Sequence, residues 1–346
     1  MPTAVSSVAV GVPAAALVSA GVVSGLIPQL RRCGVLDLPA GRSLHARATP
    51  RGGGIGILAA LLAAPSFALA VTPEGPWLPH LLLAWLPIVI FGALGLADDF
   101  FSLHAHPRLL IQAVVAMGAA WVVVDTGGRT VLLAPLIGLA MLSLVNLTNF
   151  MDGANGLVAG HAALTALWYV IVATRIAEAT ALILAAALLG GALGFLPFNV
   201  PRARVFLGDV GSYALGASWA VLGVLLLFSG ARTEAVLAPL LPLLTDAGIT
   251  LGRRLYAGDR VFEPHRLHVY QRLVHAGWSH TTVTAVFVGT TALMCLLAIP
   301  ALVGAARPWR VTMLALMVAV GAAYVSLPRL VGAKARWAHV RGEVGA

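Results

Sequence analysis

Residues 131–172 read VLLAPLIGLAMLSLVNLTNFMDGANGLVAGHAALTALWYVIV. Two apolar runs, 130–146 and 156–174, flank a short polar stretch that holds Asn149, Asp152, Gly153 and Asn155. Neither run contains Asp, Glu, Lys or Arg, and each approaches the roughly 20 residues needed to cross a bilayer. A turn this polar between runs this apolar reads as two membrane helices joined at one face of a bilayer.

The same alternation continues in both directions. Apolar runs at 8–30, 54–72, 79–97, 108–125, 178–196, 212–230, 234–252, 281–304 and 309–328 bring the expected total to about 11 transmembrane helices. Pro239, Pro242 and Asp246 predict a broken helix within 234–252. Of the 346 residues 60% are hydrophobic and 10% charged, against about 25% charged in soluble domains, which excludes the soluble class. With no linker, low-complexity tract or internal repeat, residues 1–346 read as a single integral membrane domain: all-α, polytopic and embedded in the lipid bilayer.

The few charges set the orientation. Of 22 Lys and Arg, 17 lie in or beside 31–53, 98–107, 147–155, 197–211, 253–280 and 329–346; five lie in or beside the intervening loops. The positive-inside rule makes the first set cytoplasmic, with the N-terminus outside and the C-terminus in the cytoplasm. The net charge of +9 is therefore topological, and no nucleic-acid partner is expected. The first basic residue, Arg31, follows the first run, so no cleavable signal peptide is expected. Cys33 and Cys295 form no disulfide framework. Span centres carry almost no charge, whereas Asp37, Asp98, Asp99, Asp152, Asp209 and Asp246 lie near inward ends. A transporter would place ionisable groups near the midplane; this pattern describes a reaction site on one membrane face.

Five inward segments carry the chemistry. Within 36–56, Arg42, His45, Arg47 and Arg51 precede Gly52, Gly53 and Gly54, where backbone can approach an anion. The run Gly54-x-Gly56-x-x-Ala59 imitates a dinucleotide fingerprint, but no strand precedes it. Asp98 and Asp99 project about 100° apart on a helix and can address two partners, one as a base and the other orienting a metal or a basic residue. Asn146, Asn149, Asp152 and Asn155 recur every third residue, so a helical turn would line them on one side, and such oxygen donors suit Mg²⁺ shared with substrate phosphates. Capping would account for one or two of them. Asp209 and Ser212 precede a span whose N-terminus favours anions; Asp209 suits an N-cap or a metal ligand, and Phe206 a stacked base or an interfacial ring. His265 and His268, with Arg266 and Arg272, suit a pyrophosphate clamp better than a zinc half-site.

Taken together these segments resemble the polyprenyl-phosphate N-acetylhexosamine-1-phosphate transferases, the family of the phospho-MurNAc-pentapeptide and GlcNAc-1-phosphate transferases (glycosyltransferase family 4). The resemblance rests on His45 with Thr49-Pro50-Arg51-Gly52-Gly53, Asp98-Asp99, Asn146-x-x-Asn149-x-x-Asp152-Gly153, Phe206-Leu207-Gly208-Asp209-x-Gly211-Ser212 and His265-Arg266-x-His268, in the family's order. It implies transfer of a HexNAc 1-phosphate from a UDP-sugar to polyprenyl (undecaprenyl) phosphate, releasing UMP, at the cytoplasmic face of the inner or plasma membrane. It also implies Mg²⁺, with Mn²⁺ as a substitute.

By the same resemblance Asp209, Asn149 and Asp152 would hold the metal, and Asp98, Asp99 and Asp152 would be catalytic. Asn155, Phe206 and Gly153 would bind uridine. His45, Arg51, Ser212, His265, Arg266 and His268 would bind phosphate or sugar. Asn155 stands where many members carry aspartate, Phe101 and Ser102 stand where some carry a charge, and the triple histidine of the peptidoglycan enzyme is absent. The 265–273 segment looks closer to members that initiate O-antigen-like glycans. A UDP-HexNAc (GlcNAc, QuiNAc or FucNAc) is therefore expected over UDP-MurNAc-pentapeptide. A homodimer is compatible with this reading, and a transporter or flippase for an anionic or lipid-linked solute is the alternative.

Overall fold

The computed structural model describes residues 2–38, 47–71, 77–126, 128–258 and 267–332. Every apolar run is helical. The long helices are α1 (Pro2–Arg32), α2 (Ile55–Val71), α3 (Leu78–Phe101), α4 (Ala105–Thr126), α5 (Ala134–Met151), α6 (Leu157–Ile176), α7 (Ala179–Asn199) and α8 (Gly208–Phe228). After them come the short α9 (Thr233–Leu237), then α10 (Leu241–Tyr256), α11 (Val269–His275), α12 (His280–Leu297), the short α13 (Ile299–Leu302) and α14 (Arg307–Leu330). The expected break within 234–252 is a 3₁₀ turn, Ala238–Leu240, between α9 and α10. Among the described residues 10 spans are long and apolar enough to cross a membrane; α2, at 17 residues, is the eleventh apolar helix and falls short.

Several helices run past the apolar segments. α3 reaches Phe101, α5 Met151 and α7 Asn199, while α8 starts at Gly208. Hydropathy marks where lipid ends, but the backbone ladder continues into the polar layer for as long as its hydrogen bonds are made. Asp98, Asp99, Asn149, Asn199 and Asp209 therefore sit on helix ends, not on loose loops. Near the end of α1, β1 (Leu36–Asp37) pairs antiparallel with β2 (Thr49–Pro50), a small sheet the hydropathy pattern did not announce.

α8 is the axis of the molecule. Of its most apolar window 83% is buried, against 22% for α4, and Trp219 and Tyr213 are fully enclosed. α6 and α7 are enclosed nearly as well; α3 and α5 pack on α8, and α1 and α2 on α7. Small residues permit the closest crossing. A side chain at Gly190 or Gly194 of α7 would strike the α1 carbonyl of Val12 or Ala16, and Ser19 Oγ donates to Gly191 O at 2.8 Å. This is a small-xxx-small contact of the kind that brings membrane helices together. Gly194→Leu is expected to force α1 off α7, at a cost of at least about 1–3 kcal/mol. A lower unfolding temperature in detergent, followed by tryptophan fluorescence, would show it; an unchanged transition would refute this packing.

Candidate active site

The ends of α3, α5, α7 and α8 meet the sheet segment at one end of the bundle. Asp98 and Asp99 do diverge as helical geometry demands. Asp99 Oδ1 accepts from Asp209 N and its Oδ2 from Val210 N, both at 3.0 Å. α8 has no side-chain cap of its own, so a buried carboxylate from α3 satisfies two of its orphan amides and opposes its dipole. Arg51 Nη2 donates to the Asp99 carbonyl, and its Nε lies 3.9 Å from Asp99 Oδ1. Two glycines make this approach feasible. Gly208 has φ +75°, and a Cβ on it would lie 2.6 Å from Asp99 Oδ2. Gly95, one turn before Asp99, faces the Asp209 carbonyl with no room for a side chain.

Asp98 turns the other way and does not line the cavity described below. Its Oδ2 accepts from Arg108 Nη1 at 2.6 Å and from Tyr213 OH at 2.9 Å, and its Oδ1 accepts from Leu103 N at 2.9 Å. These bonds make it a brace joining α3, α4 and α8, with its carboxyl also in side-chain hydrogen-bond contact with that of Asp209.

Backbone pairing joins the first and fourth inward segments. Phe206 N donates to Pro50 O, Gly53 N to Phe206 O and Gly54 N to Leu207 O, each at 2.8 Å. Arg51 and Phe206 are thereby held side by side. β1 adds Asp37, which the sequence reading left without a site role.

The third segment departs from the expected single helical row. α5 ends at Met151, so only Asn146 and Asn149 are in its register. Asn146 Nδ2 donates to Gln112 Oε1 on α4 at 2.8 Å and is not in the site. Asn149 Oδ1 accepts from Ser212 Oγ at 3.0 Å, which makes buried Ser212 a support for Asn149 instead of a surface anion donor. Asp152 closes α5 as its C-cap. Poor solvation, with the carboxylates of Asp99 and Asp37 nearby, raises its carboxyl to about 7.

These residues enclose one cavity of about 160 Å³. Asp37, Asp99, Asn149, Asp152, Asp209 and Arg51 form its charged part; Gly153, Asn155, Asn199, Phe206 and His280 complete its lining with Ala154 and Gly208. Among the described residues the lining brings four carboxylates and one guanidinium together, a set rich in hard oxygen donors. Among the described residues no three Asp, Glu, His or Cys side chains gather at metal-binding distance. The oxygen donors that are present suit Mg²⁺, which keeps water and shares one or two carboxylates with substrate phosphates.

Of the residues singled out from sequence, Asp99, Asp152, Asp209, Asn149, Asn155, Phe206, Gly153 and Arg51 line this cavity, and Asp98, Ser212 and His268 do not. His45, His265 and Arg266 lie outside the described residues. His268 is buried with Nδ1 3.1 Å from Asp246 Oδ1, so that nitrogen is turned to a protein partner and the residue is outside the cavity lining. Asp246 repeats the Asp99 device: it accepts from Val269 N at 2.9 Å and Tyr270 N at 3.4 Å at the start of α11, and from Tyr324 OH at 2.9 Å. Tyr270 OH in turn donates to Phe150 O at 3.1 Å, tying α11 to the end of α5. Asn199 and His280 were missed. No motif marks them; they reach the cavity because α7 outruns its apolar segment and α12 begins beside Asn155.

Residues 81–227, from α3 through nearly all of α8, match the profile described as Glycosyl transferase family 4. The chain is 33% identical over 315 residues to the phospho-N-acetylmuramoyl-pentapeptide-transferase of Symbiobacterium thermophilum, covering 79% of this chain and 89% of that protein. It is 32% identical over 297 residues to a decaprenyl-phosphate N-acetylglucosaminephosphotransferase of Mycobacterium tuberculosis, with 74% and 72% covered. Likeness to a probable undecaprenyl-phosphate N-acetylglucosaminyl 1-phosphate transferase of Bacillus subtilis is 27% over 267 residues, with 72% of each covered.

Proposed function

The chain belongs to glycosyl transferase family 4, and from that membership we propose the reaction of its cavity: an N-acetylhexosamine 1-phosphate passes from a UDP-sugar to polyprenyl phosphate, and UMP leaves. An oxygen of the lipid phosphate forms a bond to the sugar-bearing phosphorus as the bond from that phosphorus to the UMP oxygen breaks. Attack by one anion on another is governed by charge neutralisation and alignment. A phosphate monoester with a second pKa near about 6 is already largely a dianion at neutral pH, so no side chain has to remove a proton from the acceptor. That agrees with Asp98 serving Arg108 and Tyr213.

The cavity supplies the rest. Asp209 and Asp152, with Asn149, would hold Mg²⁺, which on binding neutralises pyrophosphate charge. Arg51 adds a fixed cation from the sheet segment, positioned by the Asp99 carbonyl. Phe206 offers a ring to uracil, and Asn155 an amide to its edge. The arginine distribution supports a cytoplasmic opening. One observation carries the reading: hard oxygen donors, an arginine and an aromatic ring share one cavity where membrane helices end. The relatives include both MurNAc-pentapeptide and GlcNAc transferases at 33% and 32% identity, so identity does not choose the sugar. His265-Arg266-Leu267-His268, lacking a histidine triplet, supports a simple UDP-HexNAc. Nothing in the fold or among the relatives favours the transporter alternative.

The test is incubation of the purified protein with undecaprenyl phosphate, Mg²⁺ and a panel of UDP-sugars while UMP is measured. UMP is expected from a UDP-HexNAc, not from UDP-MurNAc-pentapeptide, and chelation by EDTA is expected to stop it. Folded protein that releases no UMP from any donor would overturn the reaction, and turnover of the pentapeptide donor alone would overturn the sugar class.

A further inference from the structure

His280 is the first residue of α12 and lines the cavity, although no sequence motif contains it. Its contact is specific. The backbone N–H of Asn155 donates to His280 Nδ1 at 3.2 Å, and one turn along the same helix face Thr284 Oγ1 donates to the Asn155 carbonyl at 2.8 Å. Both main-chain polar groups of Asn155 are thus held by α12, a helix more than 120 residues away in sequence. The side chain of Asn155 is tethered as well, its Nδ2 donating to Pro201 O at 3.2 Å. A ring nitrogen that accepts a backbone N–H carries no proton, so in this contact His280 is neutral with its proton on Nε2. The start of α12 is itself fixed by Ser279, whose Oγ accepts from Thr282 N at 3.0 Å.

We propose that His280 and Thr284 are positioning residues for nucleotide recognition: by gripping the Asn155 peptide from both sides, α12 sets the direction in which the Asn155 amide meets the donor's base. This rests on the reading of Asn155 as a uracil contact. In it α12, outside the 81–227 family match, governs how tightly the nucleotide donor is held without touching the reacting phosphates.

The experiment measures UMP release against UDP-HexNAc at saturating polyprenyl phosphate, together with UMP binding by calorimetry, for Asn155→Ala, His280→Ala, His280→Asn, His280→Gln and Thr284→Val. His280→Ala is expected to raise the donor KM and the Kd for UMP about tenfold, the effect of one buried hydrogen bond, with kcat and the acceptor KM nearly unchanged. Asparagine places Oδ1 where Nδ1 stood and is expected to restore wild-type values, whereas glutamine, which reaches the Nε2 position, is not. Thr284→Val is expected to raise the donor KM in the same sense. His280→Ala added to Asn155→Ala is expected to add nothing further.

Rescue by glutamine and not asparagine would overturn the proposal in favour of direct contact through Nε2. A donor KM raised by Asn155→Ala but unmoved by His280→Ala would overturn it too. If Asn155→Ala itself leaves donor KM and UMP binding unchanged, the uracil reading of Asn155 fails, and the positioning role with it, while the transferase reaction stands.

Discussion

Asp209→Asn is expected to lower UMP release about 10³-fold, the loss found when one preorganised charge-stabilising group is removed from an active site. The substitution keeps the shape of the side chain but removes its charge and turns one acceptor oxygen into an N–H donor. Asp209 stands in the first turn of α8, facing a cavity it shares with Asp152 and Asn149. As the leading candidate to hold Mg²⁺ against the pyrophosphate, it contributes most where charge moves during transfer, so kcat should fall far more than donor KM rises. The fold has no such need of the charge. With the carboxylates of Asp99 and Asp98 beside it, deleting one negative group relieves repulsion, so the unfolding temperature is expected to hold or rise. Lost activity with kept stability marks a functional charge. Activity within about tenfold of wild type would overturn the assignment of Asp209.

Asp99→Ala is expected to have the opposite signature, with stability and activity falling together. Two buried amides at the head of α8 lose their acceptor, and Arg51 loses its nearest carboxylate. Removing one partner from a buried charged arrangement costs about 3–5 kcal/mol, and α8 is the most enclosed span. A large drop in unfolding temperature in detergent should result. Asp99→Asn, which still offers one acceptor oxygen, should be milder. An alanine variant melting within about one degree of wild type would show that this cap carries little.

Much of the site was legible because its residues stand out against their surroundings. In a chain with 10% charged residues, an acid at the end of a span is conspicuous. Asp99, Asp152 and Asp209 were found that way, and their convergence follows from span ends sharing one side of a membrane. Directions were less legible. Asn146 satisfies the spacing of Asn149 and Asp152 but faces Gln112, because it lies a turn deeper in α5 where α4 packs against it. Asp98 and Asp99 are chemically identical neighbours. Only the packing of α3 on α8 sends one to a helix N-terminus and the other to Arg108 and Tyr213.

Hydropathy alone was enough for the membrane helices, their number to within a short α2, and the break between α9 and α10. These depend on local properties: transfer of side chains to lipid, and backbone groups that must pair within their own segment. The family was legible too, because five polar motifs survive in order between the spans. Partner choice lay beyond reach of the sequence. Which buried carboxylate caps which helix, which asparagine faces the cavity and which histidine grips Asn155 all depend on contacts between residues far apart in the chain. His280 and Asn155 are 125 positions apart and meet through a single backbone N–H. No local pattern encodes a bond whose geometry is set by how whole helices lie against one another.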